Sequence, residues 1–289
     1  MRMITLDGRA SLLVPAHEGA GDATIDVHTA SAGRFPAEPD SLFEQWDTFR
    51  AWADTVDPAS AVPLGDRRVG PPVARPRQVF AIGANYHEHA DEAGIEAPAD
   101  PLVFGKFVGC LTGPHDPVTL PSEAVDWEVE LVVVIGRRAD HVAVADGWAH
   151  VAGLTVGQDL SERAVQFSLP VLQLALAKSY PGFGPIGPVL VTPDEFDDPD
   201  DLGIACSIGD EVLQADRTAR MIFPVAELVS RLSMFCPLLP GDLIFTGTPA
   251  GVGAARTPPR FLRPGETLVS RIEGIGELRN PLIARQPAR

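Results

Sequence analysis

Residues 126–136 read DWEVELVVVIG, an acid-rich start that runs into an unbroken apolar tail. The tail is dominated by valine, which suits a pleated strand. Strand side chains two positions apart share a face, so Asp126, Glu128 and Glu130 point the way of Val132 and Val134. Like charges crowded together and buried without a partner are costly. Either something positive sits against this end of the strand or the end reaches water.

The chain around it has the same β-rich texture. From about residue 78, short apolar runs (VFAIG, HVAGLTVGQD, GPVLVT, LGIACSIG, DLIFTGTP, TLVSRIEGIGEL) are punctuated by Gly and Pro. Two segments have helical spacing, SERAVQFSLPVLQLAL and VAELVSRLSMF. Regular βα alternation is missing, which argues against a doubly wound parallel sheet and for a mixed α/β, predominantly β fold. Residues 1–70 read as a small N-terminal α/β domain and residues 71–289 as the main domain. In the first, MITLDG and SLLVP suggest a hairpin. Leu42, Phe43, Trp46, Phe49 and Trp52 recur at helical spacing behind Asp40 or Ser41 as N-cap. Pro71, Pro72 and Pro76 make the joint a linker.

A net charge of −16 argues against a nucleic-acid groove, which needs clustered Lys and Arg. Cys110, Cys206 and Cys236 have neither disulfide-framework nor zinc spacing. No apolar run approaches a membrane span, and the N-terminus lacks a signal-peptide core, so a cytoplasmic protein is expected.

Glu128 and Glu130 share a strand face and can grip one cation together. Asp159 in TVGQDLSERAVQ, after a β-like run and before a helical one, offers a third oxygen ligand. Three carboxylates without clustered Cys select a hard cation, Mg²⁺ before Mn²⁺ or Ca²⁺. On spacing alone, E-x-E reads more simply as the polar face of a half-exposed strand.

Other motifs decide between these readings. AIGANYHEHADE, PLVFGKF, VDWEVELVVVIG, VAGLTVGQDLSERAVQ, AKSYPGFGPIGPVLVT, PGDLIFTGTPAGVG and FLRPGETLVSRIEGIGELRNPL occur in this order. As a set they resemble the fumarylacetoacetate hydrolase superfamily over some two-thirds of the chain. The resemblance implies a β-roll core, a divalent metal held by Glu128, Glu130 and Asp159, and a homodimer. It implies His89 and Glu92 of N-Y-x-x-H-x-x-E as a catalytic pair, one helical turn apart, with His87 in a variable slot. It further implies Lys178 beside the metal as a catalytic cation, and Tyr86, Lys106, Arg163, Gln166, Gly247 and Thr248 at the substrate.

Two positions depart from the family's pattern. Pro181 stands where an acid commonly follows Lys178 in K-S-x-D, and Gln158 precedes Asp159 where Asn is more familiar.

The reading is a Mg²⁺-dependent hydrolase of a carbon–carbon bond in a 1,3-dicarbonyl acid such as an acylpyruvate, with His89 activating water. The rival uses the same site without hydrolysis, to decarboxylate, tautomerise or hydrate a 2-oxo acid such as oxaloacetate or a 2-oxo diacid of aromatic catabolism. A binding protein without activity is a third possibility, opposed by the intact set of motif residues.

Overall fold

The computed structural model describes residues 1–14 and 21–285. Pro15, which closes the second run of the expected hairpin, lies outside them. The strand Val129–Ile135 runs through a twelve-stranded sheet, antiparallel to Val151–Gln158 on one side and to Leu243–Phe245 on the other. All seven of its residues are buried. Leu131, Val133 and Ile135 join one core, while Val132 and Val134 join another. Both faces are therefore covered, which is why the run shows no polar alternation beyond Glu130.

The first core fills the space against a five-stranded sheet, where Ile204, Leu268, Ile272 and Leu278 meet Leu154, Val156 and Val189. The second packs Phe35, Leu42, Phe43, Trp46 and Phe49 against Val132, Val134, Leu190 and Phe245. The aromatic stripe read from the sequence is thus core, with Phe43 and Trp46 stacked at 5.2 Å between centroids. Most strand pairs are antiparallel, and the fold is mixed α/β with strands predominating. Among the described residues no helix is long and apolar enough to cross a membrane.

The described strands of residues 1–70 join the large sheet. Arg2–Leu6 and Arg9–Val14 form the hairpin, and Arg2–Leu6 also pairs with Gly184–Val191, setting Met3 opposite Leu190. The Met1 amino group donates to Thr192 Oγ1 at 2.7 Å.

Local expectations are corrected at three places. The aromatic helix starts earlier than Asp40, as a 3₁₀ turn over Pro39–Gln45 that continues into the α-helix Trp46–Ala53. Pro39 suits a first helical position, and Asp40 is occupied instead by the N–H groups of Ala74 and Arg75 at 2.9 and 3.2 Å. The segment 161–176 is not one helix but two short pieces, Arg163–Gln166 and Leu174–Ala177. Pro170 between them lacks an N–H and disfavours helix at Leu169.

The opening stretch is not one strand either. Val125–Asp126 pairs with Ser161–Glu162 in a separate ladder. At the break, side chains replace strand partners: Glu128 N–H donates to Gln158 Oε1 (2.9 Å) and Val129 N–H to Gln214 Oε1 (3.1 Å).

Register brings the functional segments together. Val129 lies opposite Gln158, Val132 opposite Phe245, and Phe245 opposite Ala81. The start of Val129–Ile135 therefore meets the ends of Val151–Gln158, Leu243–Phe245 and Val79–Gly83 at one edge of the sheet.

Candidate active site

At that edge, carboxylate oxygens of Glu128, Glu130 and Asp159 lie within 4.8 Å of one another, all buried. Two lysines hold Asp159 between them. Lys106 Nζ donates to Asp159 Oδ1 (2.5 Å) and to the carbonyls of Lys178 and Phe183. Lys178 Nζ donates to Asp159 Oδ2 (2.7 Å), Glu128 Oε2 (2.6 Å) and Ser161 Oγ (2.7 Å). An ammonium has three donors, so each lysine is fully committed and acts as a fixed charge.

Arg163 completes the cationic side. Its Nη2 donates to Glu128 Oε1 (2.7 Å), Nε to Asp126 Oδ2 (2.9 Å) and Nη1 to Gln166 Oε1 (2.8 Å). An Nη1 N–H is left for a ligand.

The acids respond unequally. Burial works against ionisation of Glu128, but Lys178 and Arg163 outweigh it and bring its pKa down to about 2. For Glu130, burial acts first and Asp159 and Glu128 add repulsion, so its pKa is pushed well above the usual carboxylate range. Among the described residues no Lys or Arg makes an ion pair with Glu130; it accepts the N–H of Gly247 at 2.8 Å. A buried carboxylate beside two others, with no cation of its own, fits a divalent metal. Hard oxygen donors are what Mg²⁺ or Mn²⁺ takes.

His89 and Glu92 lie on the short helix His87–Glu92, and Nδ1 of the ring meets Glu92 Oε1 at 2.7 Å. Glu92 in turn accepts the N–H of Gly251 at 2.9 Å and, more weakly, that of Val252 at 3.5 Å. Gly247 and Gly251 both have positive φ, +98° and +108°. A Cβ at Gly247 would lie 2.7 Å from the Asn85 Cβ, and one at Gly251 2.5 Å from the Leu213 carbonyl oxygen. Only glycine lets this loop give one N–H to the acid cluster and another to the histidine pair.

A cavity of about 490 Å³ opens over these groups. His89, Glu92, Glu128, Arg163, Gln166, Lys178 and Thr248 line it. The other residues expected at the substrate lie behind the wall. Lys106 is sealed behind Asp159, and Gly247 reaches the acids through its N–H. Tyr86 is fully buried with its hydroxyl unpartnered, and burial followed by Glu130 raises its pKa.

Pro181 occupies an exposed turn where the family's acid is expected, and Ser179 Oγ accepts the Phe107 N–H at 3.0 Å. Gln158 uses its oxygen on the Glu128 N–H and leaves Nε2 unpartnered.

Sequence reasoning missed two supports. Asp126 is fully buried and accepts the N–H groups of Trp127 (2.8 Å), Gly253 (2.7 Å) and Ala254 (2.9 Å) in addition to Arg163. Its place in the opening stretch marked it, but its spacing suggested company with the other acids. Gln214 donates to Thr248 Oγ1 (2.8 Å) and the Pro249 carbonyl (2.7 Å) while holding Val129 N–H. Nothing in its local sequence signals this.

Residues 78–283 match the family model described as fumarylacetoacetate hydrolase, C-terminal. The mitochondrial oxaloacetate tautomerase FAHD2A of Bos taurus is 39% identical over 272 residues, covering 92% of this chain and 85% of the bovine protein. A Mycobacterium smegmatis crystal structure provisionally designated HpcE superposes with a TM-score of 0.91 at 46% identity, covering 99% of this chain and all of that one. The maleylpyruvate hydrolase of Sphingobium sp. SYK-6, solved with manganese(II) and pyruvate, superposes at 0.80 with 26% identity, covering 99% of this chain and 100% of that one.

Proposed function

This chain belongs to the fumarylacetoacetate hydrolase family, and from that premise we propose that it is a metal-supported tautomerase of 2-oxo acids. The observation that carries the reading is the His89–Glu92 pair sharing one cavity with Glu128, Arg163 and Lys178. Proton transfer at the carbon next to an oxo group needs one base and a stable field for the negative charge that develops on oxygen. It needs no water molecule.

Glu128, Glu130 and Asp159 would hold the metal, Mg²⁺ or Mn²⁺. When bound, it would supply Lewis acidity to the oxo and carboxylate oxygens. The chain's own residues do the rest. The free N–H of Arg163 and the Gln166 side chain orient the carboxylate end. His89 takes the C3 proton, and Glu92 fixes the ring and steadies its protonated form. Lys178, locked by three acceptors, contributes preorganised positive charge without moving. Delivery of that proton from the imidazolium to the oxo oxygen gives the enol and restores neutral His89. The resemblance to oxaloacetate tautomerases over nearly the whole chain favours this over the hydrolytic reading.

Hydrolysis of a carbon–carbon bond is the second reading, supported by the likeness to the maleylpyruvate hydrolase, since the same pair could activate water. The test is C3 hydrogen–deuterium exchange of oxaloacetate and phenylpyruvate by NMR with Mg²⁺ or Mn²⁺, alongside product analysis with acylpyruvates. Exchange well above the buffer rate with the carbon skeleton intact is expected. Cleavage of acylpyruvates without accelerated exchange would replace tautomerisation by hydrolysis, and loss of CO₂ from oxaloacetate as the main event would replace it by decarboxylation.

A further inference from the structure

We propose that the preferred substrate is a 2-oxo acid with a single carboxylate and a bulky apolar group on C3, an aryl- or alkyl-substituted pyruvate. This rests on the tautomerase reading and goes beyond it, because oxaloacetate carries a second carboxylate where this pocket offers hydrocarbon.

The cavity, at about 490 Å³, is far larger than a four-carbon acid fills. The polar side chains that line it are the hydrogen-bonded set of Glu128, Arg163, Gln166 and Lys178, the His89–Glu92 pair, and Thr248, whose hydroxyl accepts from Gln214. Beyond them the wall is Ile95, Leu102, Phe104, Phe167, Leu172 and Val252. The change is abrupt, since Lys178 Nζ sits 5.4 Å from the Phe104 ring centre.

Among the described residues no Lys or Arg other than Arg163 and Lys178 lines the cavity. Lys178 has no donor left, and Arg163 is shared among Asp126, Glu128 and Gln166. One substrate carboxylate can use the remaining Arg163 N–H. A second, directed away from the acids, would be stripped of water against leucine and phenylalanine with no further side-chain cation to meet it.

The flanking segment adds to the penalty. His89, Glu92, Ala93 and Ile95 line the cavity, and the same segment carries exposed Asp91 and Glu96. Glu88 and Asp100 there are paired with Arg220 and Arg231, so those cations are committed as well. A dianion approaches against this field, whereas a ring or branched chain gains by leaving water. The reaction balances without a co-reactant. The C3–H bond breaks, its electrons become the C2=C3 bond, the oxo oxygen takes a proton, and nothing is oxidised or reduced.

The experiment compares kcat/KM for C3 exchange of phenylpyruvate and oxaloacetate under one set of Mg²⁺ conditions, in wild type and in Leu172→Arg. Leu172 is half exposed, so the variant can fold with its charge at the wall. Phenylpyruvate should lead by roughly tenfold or more, the effect of burying a ring against an apolar wall. Leu172→Arg should reverse the preference by raising oxaloacetate and lowering phenylpyruvate. Oxaloacetate leading in wild type, or an unchanged ratio in the variant, would overturn the inference and leave the tautomerase reading standing. Exchange of neither substrate would remove the tautomerase reading itself.

Discussion

Asp126 grips Arg163 at 2.9 Å through Nε and, with the same carboxylate, accepts the N–H groups of Gly253 and Ala254. One buried acid thus ties the guanidinium beside Glu128 to the loop whose Gly251 N–H supports Glu92. Asp126→Asn keeps the volume but turns an N–H₂ toward donors. Substrate KM should rise and kcat/KM fall by roughly 10- to 100-fold, in keeping with a lost charged hydrogen bond. Mn²⁺ affinity, read by electron paramagnetic resonance, should stay near wild type. Metal loss in this variant would place Asp126 in the acid cluster instead.

Glu130 has a raised pKa because burial, then Asp159 and Glu128, disfavour its charge. An acid whose folded pKa exceeds its unfolded one gives stability that is complete below the unfolded value and disappears as pH climbs through the folded one. Metal-free protein should lose thermal stability as pH rises above the ordinary glutamate value of 4.5. In EDTA at neutral pH, Glu130→Gln should melt a few degrees higher than wild type, while losing most activity. Mg²⁺ at about 100 times its Kd should stabilise wild type by about 2.7 kcal/mol and the variant by much less. Scanning fluorimetry across pH, with and without Mg²⁺, checks both; a variant melting below wild type in EDTA contradicts the assignment.

His89→Ala should slow the reaction by roughly 10² to 10⁴, the span usual for a general base. Glu92→Gln should cost less, because the imidazole stays in place and loses only orientation and charge support. Neither should change metal affinity. Near-full activity in His89→Ala would show that another group moves the proton.

Gly251→Ala forces a Cβ to within 2.5 Å of the Leu213 carbonyl at a φ of +108°. The loop must shift, and the N–H it gives Glu92 shifts with it. A fall in kcat of about tenfold or more, with Mn²⁺ binding retained, is the expected signature of a displaced base. Equal loss of metal binding would point to collapse of the whole loop.

We propose a homodimer. Val103, Phe107, Leu169, Val171 and Leu176 are exposed apolar side chains on two neighbouring segments, and Leu102–Gly105 ends the large sheet. Bare apolar edges of this kind are ordinarily covered. Light scattering should give a mass near twice the 30.8 kDa chain. A monomer at micromolar concentration argues against it.

Much of this was legible in the chain because each signal was local. The valine run and the i, i+3 spacing of His89 and Glu92 state their own geometry. The break after Asp126 was not legible, because it depends on Gln158 and Gln214 offering side-chain oxygens to Glu128 and Val129 from other strands. The fate of Lys106 was hidden for the same reason: only the folded chain puts the carbonyls of Lys178 and Phe183 around its ammonium. Pro170 gave warning that residues 161–176 would not be a single helix, but apolar periodicity masked it.

The loop from Gly247 to Gly251 works as a ruler. Its two ends fix the acid cluster and the histidine pair at a set separation, and lengthening or shortening it by one residue would change that separation for every substrate. Chemistry in such a scaffold can diversify by refurnishing the cavity wall, as substitutions at Leu102 or Leu172 would do, while the spacing between base and acids is inherited intact. Insertions should therefore be tolerated poorly between these glycines and far better in the exposed turn at Pro181.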